Sequence, residues 1–370
     1  MGTFLSRDSG DCGAHDASRS SKGKAMKRVG VGIAGLGRMG QFHVESLAKA
    51  PSVELVRVVD AVEDVARAVG ERLGVEWSTS YDDLLSDSVI DGVVLATPTA
   101  QHAPMIEAAA AAGKHVFSEK PISLDLAASQ RAVKSARAHG VKLQVGFHRR
   151  FDPDWAEATR RIRDGELGDV YLFRTSLRDM RPPSVDFVAG SGGFFVDVTI
   201  HDLDTARWMV GEIDEVSAVG TSVSDPAFGE IGDFDNALVV LRFAGGALGV
   251  IDNSRVAGYG YECSTEVVGA NATVRVDGHR VRQLQWLTPG QASVDWVRDF
   301  TERYPEAYLL ELEHFAQAIR DDGPVAVSGE DAIAAFLLAQ ACARSAAEGR
   351  SIRMRHQERE GSISYSPAAA

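Results

Sequence analysis

The chain has 370 residues, of which 39 are basic and 52 acidic, giving a formal net charge of −13, and 45% are apolar. This length fits about two domains, each able to bury its own core, and the acidic balance argues against a partner bound through nucleic-acid phosphates. No apolar run reaches the roughly 18 residues of a membrane span, and Cys12, Cys263 and Cys342 stand far apart with no Cys-x-x-Cys pair, which argues against a disulfide framework or a metal site.

Residues 1–28 are rich in Ser, Gly, Asp and Lys/Arg and hold no continuous hydrophobic stretch. They read as a disordered tail and not as a secretory signal, so a cytoplasmic protein is expected. From Val29 onward, short apolar runs alternate with segments of helical spacing. The runs are Val29–Ile33, Val53–Val59, Val89–Leu95, His115–Phe117 and Lys142–Val145. Between them lie Met39–Ala50, Ala61–Leu73, Ala103–Ala112 and Leu124–His139. Such alternation predicts an α/β domain with a doubly wound parallel sheet over 29–149.

The remainder, 150–355, reads differently. A helix is predicted over Pro153–Arg163, a strand over Asp169–Leu177, a loop over Arg178–Gly193 and a helix over Val198–Val210. Strand-like runs follow at Glu215–Ser222, Asn236–Phe243, Ala247–Ser254, Cys263–Gly269, Thr273–Val276 and Val281–Leu287. Their direct connections predict an α+β domain with a large, mostly antiparallel open sheet covered by helices on one face. Helices Pro305–Ile319 and Gly329–Ala347 close the domain, the second opened by Ser328 and Asp331 at capping-box spacing, and 356–370 reads as a tail.

Gly35-Leu36-Gly37-Arg38-Met39-Gly40 joins the first strand to the first helix. In this context the glycines permit a tight turn, the close approach of a pyrophosphate and tight helix–strand packing, which is the Rossmann fingerprint for a dinucleotide. Asp60 ends the second strand, where a carboxylate binds the adenosine ribose hydroxyls and repels a 2′-phosphate, favouring NAD over NADP. Its other reading, compatible with the first, is a cap for the helix that follows. Thr97 and Pro98 end the fourth strand, and Glu119 and Lys120 the fifth. Ligands in such sheets sit beyond the carboxyl ends of the strands, so both segments are expected to face the nicotinamide.

With Glu119-Lys120-Pro121, Gly146–Pro153 and Gly192–Asp204 the chain resembles the Gfo/Idh/MocA oxidoreductases over essentially Val29–Met354. Gly192–Asp204, Ile251–Arg255 with Tyr259-Gly260-Tyr261, and Arg303–Tyr308 make it most similar to the inositol 2-dehydrogenases of that family, although Glu262-Cys263-Ser264-Thr265 is less typical of them. The resemblance implies a catalytic trio of Lys120, Asp197 and His201, oxidation of myo-inositol to its 2-keto product with NAD⁺, and a homotetramer built through the open sheets.

The residues themselves are consistent with that chemistry. Oxidising an alcohol removes a hydride, taken by the cofactor, and a proton, taken by the protein. Asp197 and His201 are four apart near a predicted helix start, so the carboxylate is expected to orient the imidazole, with His201 as general base. A polyol offers many hydroxyls and little apolar area. Candidate partners are Lys120, Arg150, Arg178, Asp179, Asp197, His201, Tyr259 and Tyr261. His43, His115, His139, His314 and His356 read as structural, and His102 and His148 as structural or cofactor-adjacent. Three other functions remain open: a dehydrogenase for another inositol isomer or cyclic sugar, a glycosidase using held NAD in an internal redox cycle, and a non-catalytic NAD-binding regulator.

Overall fold

A computed structural model describes residues 27–278, 280–359 and 362–367. The segment read as an N-terminal tail therefore lies outside the described residues up to residue 26.

Six parallel strands form the first sheet: β1 (Val29–Ala34), β2 (Val53–Val59), β3 (Glu76–Ser78), β4 (Gly92–Leu95), β5 (His115–Ser118) and β6 (Leu143–Val145). Their order is β3-β2-β1-β4-β5-β6, so the winding reverses between β1 and β4 and opens a crevice at the carboxyl ends there. Every residue of β1 and β4 is buried. Helices cover both faces of such a sheet, which is why its central strands are continuous apolar runs. Strand β3 has only three residues and no apolar run, and the hydrophobic pattern passes over it.

The second domain holds β7 (Val170–Arg178), β8 (Ile213–Thr221), β9 (Asn236–Phe243), β10 (Leu248–Ser254), β11 (Glu262–Gly269), β12 (Thr273–Val276), β13 (Arg280–Thr288), β14 (Gln291–Trp296), β15 (Ile352–Arg359) and β16 (Ser362–Pro367). Eight of them form a sheet of order β12-β11-β7-β10-β9-β8-β15-β16, antiparallel except for the parallel pair β7–β10. Strands β13 and β14 make a separate two-stranded ribbon. The segment 356–370, read from sequence as a tail, contains the end of β15 and all of β16. Along β9 the pattern alternates strictly. Ala237, Val239, Leu241 and Phe243 are buried, while Leu238 and Val240 are exposed. The buried face is covered by helices Ile200–Val210 and Gly329–Glu348. The predicted capping box is present: Ser328 Oγ accepts from Asp331 N at 3.1 Å, and Asp331 Oδ2 accepts from Ser328 N at 3.1 Å.

Helix Pro305–Arg320 returns to the first domain. Leu312, Phe315 and Ala316 join Val31, Ile33 and Val44 in one buried cluster, and Phe315 stands edge-on to Phe117 at 6.1 Å. This packing fastens the second domain over the crevice of the first. Among the described residues no helix is long and apolar enough to cross a membrane, and no group of three His, Cys, Asp or Glu gathers as for a metal ion.

Candidate active site

The glycine turn has the shape the fingerprint requires. Gly35 has φ +89°, and a Cβ there would lie 2.6 Å from the Ala96 carbonyl. A Cβ on Gly40 would collide with the Gly35 carbonyl oxygen, whereas one on Gly37 would meet nothing within 4 Å. Gly37 caps helix Arg38–Lys49, whose first-turn N–H groups have no acceptor inside the helix. That end borders a cleft of about 980 Å³ lined by Arg38, Met39, Thr97, Pro98, Glu119 and Lys120. A diphosphate is the kind of group that a free, positively polarised helix end in open space accommodates, so the residues fit NAD. Asp60 fills the capping role as well. Its Oδ2 accepts from Leu36 N at 2.8 Å and its Oδ1 from Val62 N at 2.9 Å. Each oxygen keeps a second lone pair for a ribose hydroxyl.

The loop after β5 carries Glu119 and Lys120. Glu119 is buried, with Oε1 2.6 Å from His43 Nε2 on the cofactor helix and Oε2 accepting from Lys120 N. Lys120 crosses to the second domain: its Nζ donates to the Asp197 carbonyl oxygen at 2.9 Å and lies 3.7 Å from Asp197 Oδ1. His201 lines the same cleft. Burial pushes its imidazole well below the ordinary histidine value, and the cations Lys120, His148 and Arg149 push in the same direction. The ring is therefore a neutral base at neutral pH.

The expected Asp197–His201 partnership is not formed. Residues Phe195–Thr199 make a π-helical turn, in which the ordinary four-residue alignment is lost. The Asp197 carboxylate instead accepts from Arg255 Nη1 at 2.9 Å, and His201 Nδ1 is buried with no hydrogen-bond partner among the described residues. His201 is flanked by the rings of Phe147 at 5.7 Å and His148 at 5.2 Å.

Of the remaining substrate candidates, Asp179 and Tyr261 line the cleft. Burial, reinforced by Asp197, pushes the Asp179 carboxyl up to about 6, against the opposing pull of Arg255, Arg38 and Lys120. Burial raises the Tyr261 phenol well above its ordinary value, so it remains an O–H donor. Three candidates lie elsewhere. Arg150 faces Asp204, donating through Nε at 2.9 Å and Nη2 at 2.5 Å, with Asp331 close by. The 3-10 turn His148–Phe151 spaces successive side chains about a third of a turn apart, so His148 and Arg149 face the cleft and Arg150 does not. Arg178 pairs with Asp252 and donates to Tyr259 Oη at 3.2 Å, and Tyr259 is 52% exposed. Neither borders the cleft.

Arg149 and Arg255 are charged cleft residues that the sequence alone does not single out. Arg149 is buried and donates to Asp202 Oδ1 at 2.5 Å, where Thr175 and Asn253 also donate to the carboxylate. It lay in the right segment, one residue from the one chosen. Arg255 is 1% exposed, holds Asp197, and closes the motif Ile251–Arg255. Its signal was a charged residue ending a central strand, and its partners are remote in sequence.

Residues 29–147 match the family model "Oxidoreductase family, NAD-binding Rossmann fold" and 159–354 match "Oxidoreductase family, C-terminal alpha/beta domain", both of the Gfo/Idh/MocA group. The chain is 40% identical over 329 residues to the myo-inositol 2-dehydrogenase of Thermotoga maritima, covering 88% of this chain and 98% of that protein. It is 39% identical over 308 residues to the scyllo-inositol 2-dehydrogenase (NAD(+)) of Bacillus subtilis, covering 82% and 90%. A crystal structure of scyllo-inositol dehydrogenase from Lactobacillus casei with bound NAD(H) and scyllo-inositol superposes with a TM-score of 0.83 at 29% identity, covering 88% of this chain and 99% of that one.

Proposed function

Since the chain belongs to the Gfo/Idh/MocA family of oxidoreductases, with an NAD-binding Rossmann domain, we propose that it oxidises myo-inositol to the 2-keto product with NAD⁺. The observation that carries this reading is the meeting of Lys120, Asp197 and neutral His201 in one cleft beside the glycine turn. Bound NAD⁺ supplies the hydride acceptor. The hydroxyl proton goes to His201, whose ring is unprotonated at the start. Lys120 Nζ donates a hydrogen bond to the reacting oxygen and steadies the negative charge that develops there. Asp197, fixed by Arg255, keeps the lysine in place, and Asp179, Arg149 and Tyr261 supply directed partners for the other hydroxyls.

A second substrate, scyllo-inositol, is favoured by the comparable identity to the Bacillus subtilis enzyme. The two isomers differ only in the configuration at the carbon oxidised, so both give the same ketone. We also read the protein as a cytoplasmic homotetramer. Leu172, Val219, Leu238, Val240 and Leu248 are exposed on the open face of the second sheet, an apolar surface that a second copy would cover. Appearance of NADH fluorescence with a panel of inositols and cyclic sugars tests the chemistry, and the sedimentation mass of the same sample tests the assembly. NADH formation with an inositol and the mass of four chains are expected. Sugar release without NADH would indicate a glycosidase, and an inert protein would overturn the reading.

The Asp179 carboxyl gives a pH signature. Below about 6 it is protonated, and above that it becomes a full acceptor for a substrate hydroxyl. KM for the polyol is therefore expected to fall as pH rises through about 6, with kcat less affected. Asp179→Asn removes the titration and flattens this step. An unchanged KM profile in the variant would exclude Asp179 as the origin.

A further inference from the structure

His102 lies on helix Thr99–Ala111 and is 2% exposed. Its ring sits between two backbone carbonyls. Nδ1 is 2.9 Å from the Pro121 oxygen and Nε2 is 2.8 Å from the Thr97 oxygen. A carbonyl oxygen only accepts, and a neutral imidazole has one N–H and one lone pair. With a single proton, a lone pair would face a carbonyl oxygen at hydrogen-bonding distance in a buried place, leaving a hydrogen bond unmade where that is most costly. Two protons satisfy both acceptors.

The countercharge is at hand. Glu119, buried on the same loop as Pro121, carries a carboxyl that burial works to raise. The His43 hydrogen bond and the charges of His43, Lys120 and His102 together bring it below its ordinary value. The titratable groups nearest the ring are thus Glu119 and Lys120 from the loop after β5 and His43 from helix Arg38–Lys49.

The two carbonyls belong to the two segments that carry the chemistry. Thr97 lies in the loop that follows β4 and borders the cleft; Pro121 directly follows Lys120. We infer that His102 carries a proton on both ring nitrogens and is a positioning residue that straps the loop after β4 to the loop after β5, fixing Lys120 relative to the nicotinamide wall. Nothing else among the described hydrogen bonds joins these two carbonyls through one side chain.

The test has a spectroscopic arm and a kinetic arm. Nitrogen-15 NMR of histidine-labelled protein at neutral pH, assigned by the signal lost in His102→Gln, should show a ring with N–H on both nitrogens. A ring with one bare nitrogen overturns the inference. Glutamine places its donors on a single nitrogen and cannot reach both carbonyls. His102→Gln is therefore expected to bind NADH like the parent and to lose about 10²-fold in kcat, as displaced reacting groups do, with a larger primary deuterium isotope effect as hydride transfer becomes limiting. Unchanged kcat and isotope effect refute the positioning role. The kinetic arm rests on the polyol dehydrogenase reading and the spectroscopic arm does not. If the parent turns over no polyol, that reading fails while the ring's protonation still decides the inference.

Discussion

Replacing Lys120 by methionine is expected to slow polyol oxidation by about 10²–10⁴-fold while NADH binds as before. Methionine has nearly the length of lysine and none of its charge. The backbone of the loop stays held by Glu119 Oε2 on the Lys120 N–H and by His102 on the Pro121 carbonyl. Asp197 keeps Arg255 as its counter-ion, so the fold has no reason to fail. What disappears is the N–H donor aimed at the reacting oxygen, and with it the cation that helps to hold His201 unprotonated. The imidazole value should then climb back toward the ordinary one, so the residual rate should titrate at higher pH than in the parent. NADH fluorescence titration and kcat against pH measure both effects. A kcat within about tenfold of the parent, or a lost affinity for NADH, would remove Lys120 from the role assigned to it.

Most of the first domain was legible in the sequence because one signal repeats there. Strands buried on both faces are apolar runs, and the glycine turn needs particular residues at fixed positions, so Gly35, Gly37 and Gly40 stand out in one dimension. The limits of that legibility have equally physical causes. The Asp197–His201 expectation applied α-helical periodicity to a segment that folds as a π turn, a deviation with no strong sequence mark. The motif resemblance points to Arg150 as a substrate partner, and only the 3-10 turn decides which of the two adjacent arginines faces inward. Arg178 and Tyr259 stand near the right strand ends, yet they pair with Asp252 and Glu262 on the surface. Arg255 escaped notice because its ligands, Asp197 and Asp233, come from other parts of the chain, and burial of a cation between them is a fact of tertiary structure alone.

Arg255→Leu should therefore produce the largest loss of stability among the cleft residues, about 3–5 kcal/mol, the range for stranding a buried charge. The guanidinium donates to Asp197 Oδ2 at 2.9 Å, lies 3.6 Å from Asp233 Oδ2, and rests over Phe194 at 5.2 Å and Phe228 at 5.8 Å. Asp233 Oδ1 in turn accepts from Phe194 N at 2.8 Å, just before the π turn. One cation thus anchors that turn at its beginning and at Asp197. Leucine fills part of the volume and leaves two carboxylates, with Asp179 as a third nearby, without their common neutraliser. The Asp179 carboxyl, already pushed up to about 6 against the pull of Arg255, must rise further when that pull is gone. An acid whose value is higher folded than unfolded costs stability above that value and ceases to do so as pH falls through it. The deficit in urea midpoint should accordingly be full at neutral pH and shrink on acidification. Arg255→Lys keeps the charge but not the planar guanidinium that reaches both carboxylates, and should recover part of the stability and less of the turnover. A deficit that does not change with pH would mean that lost packing on Phe194 and Phe228, and not electrostatics, is what Arg255 contributes.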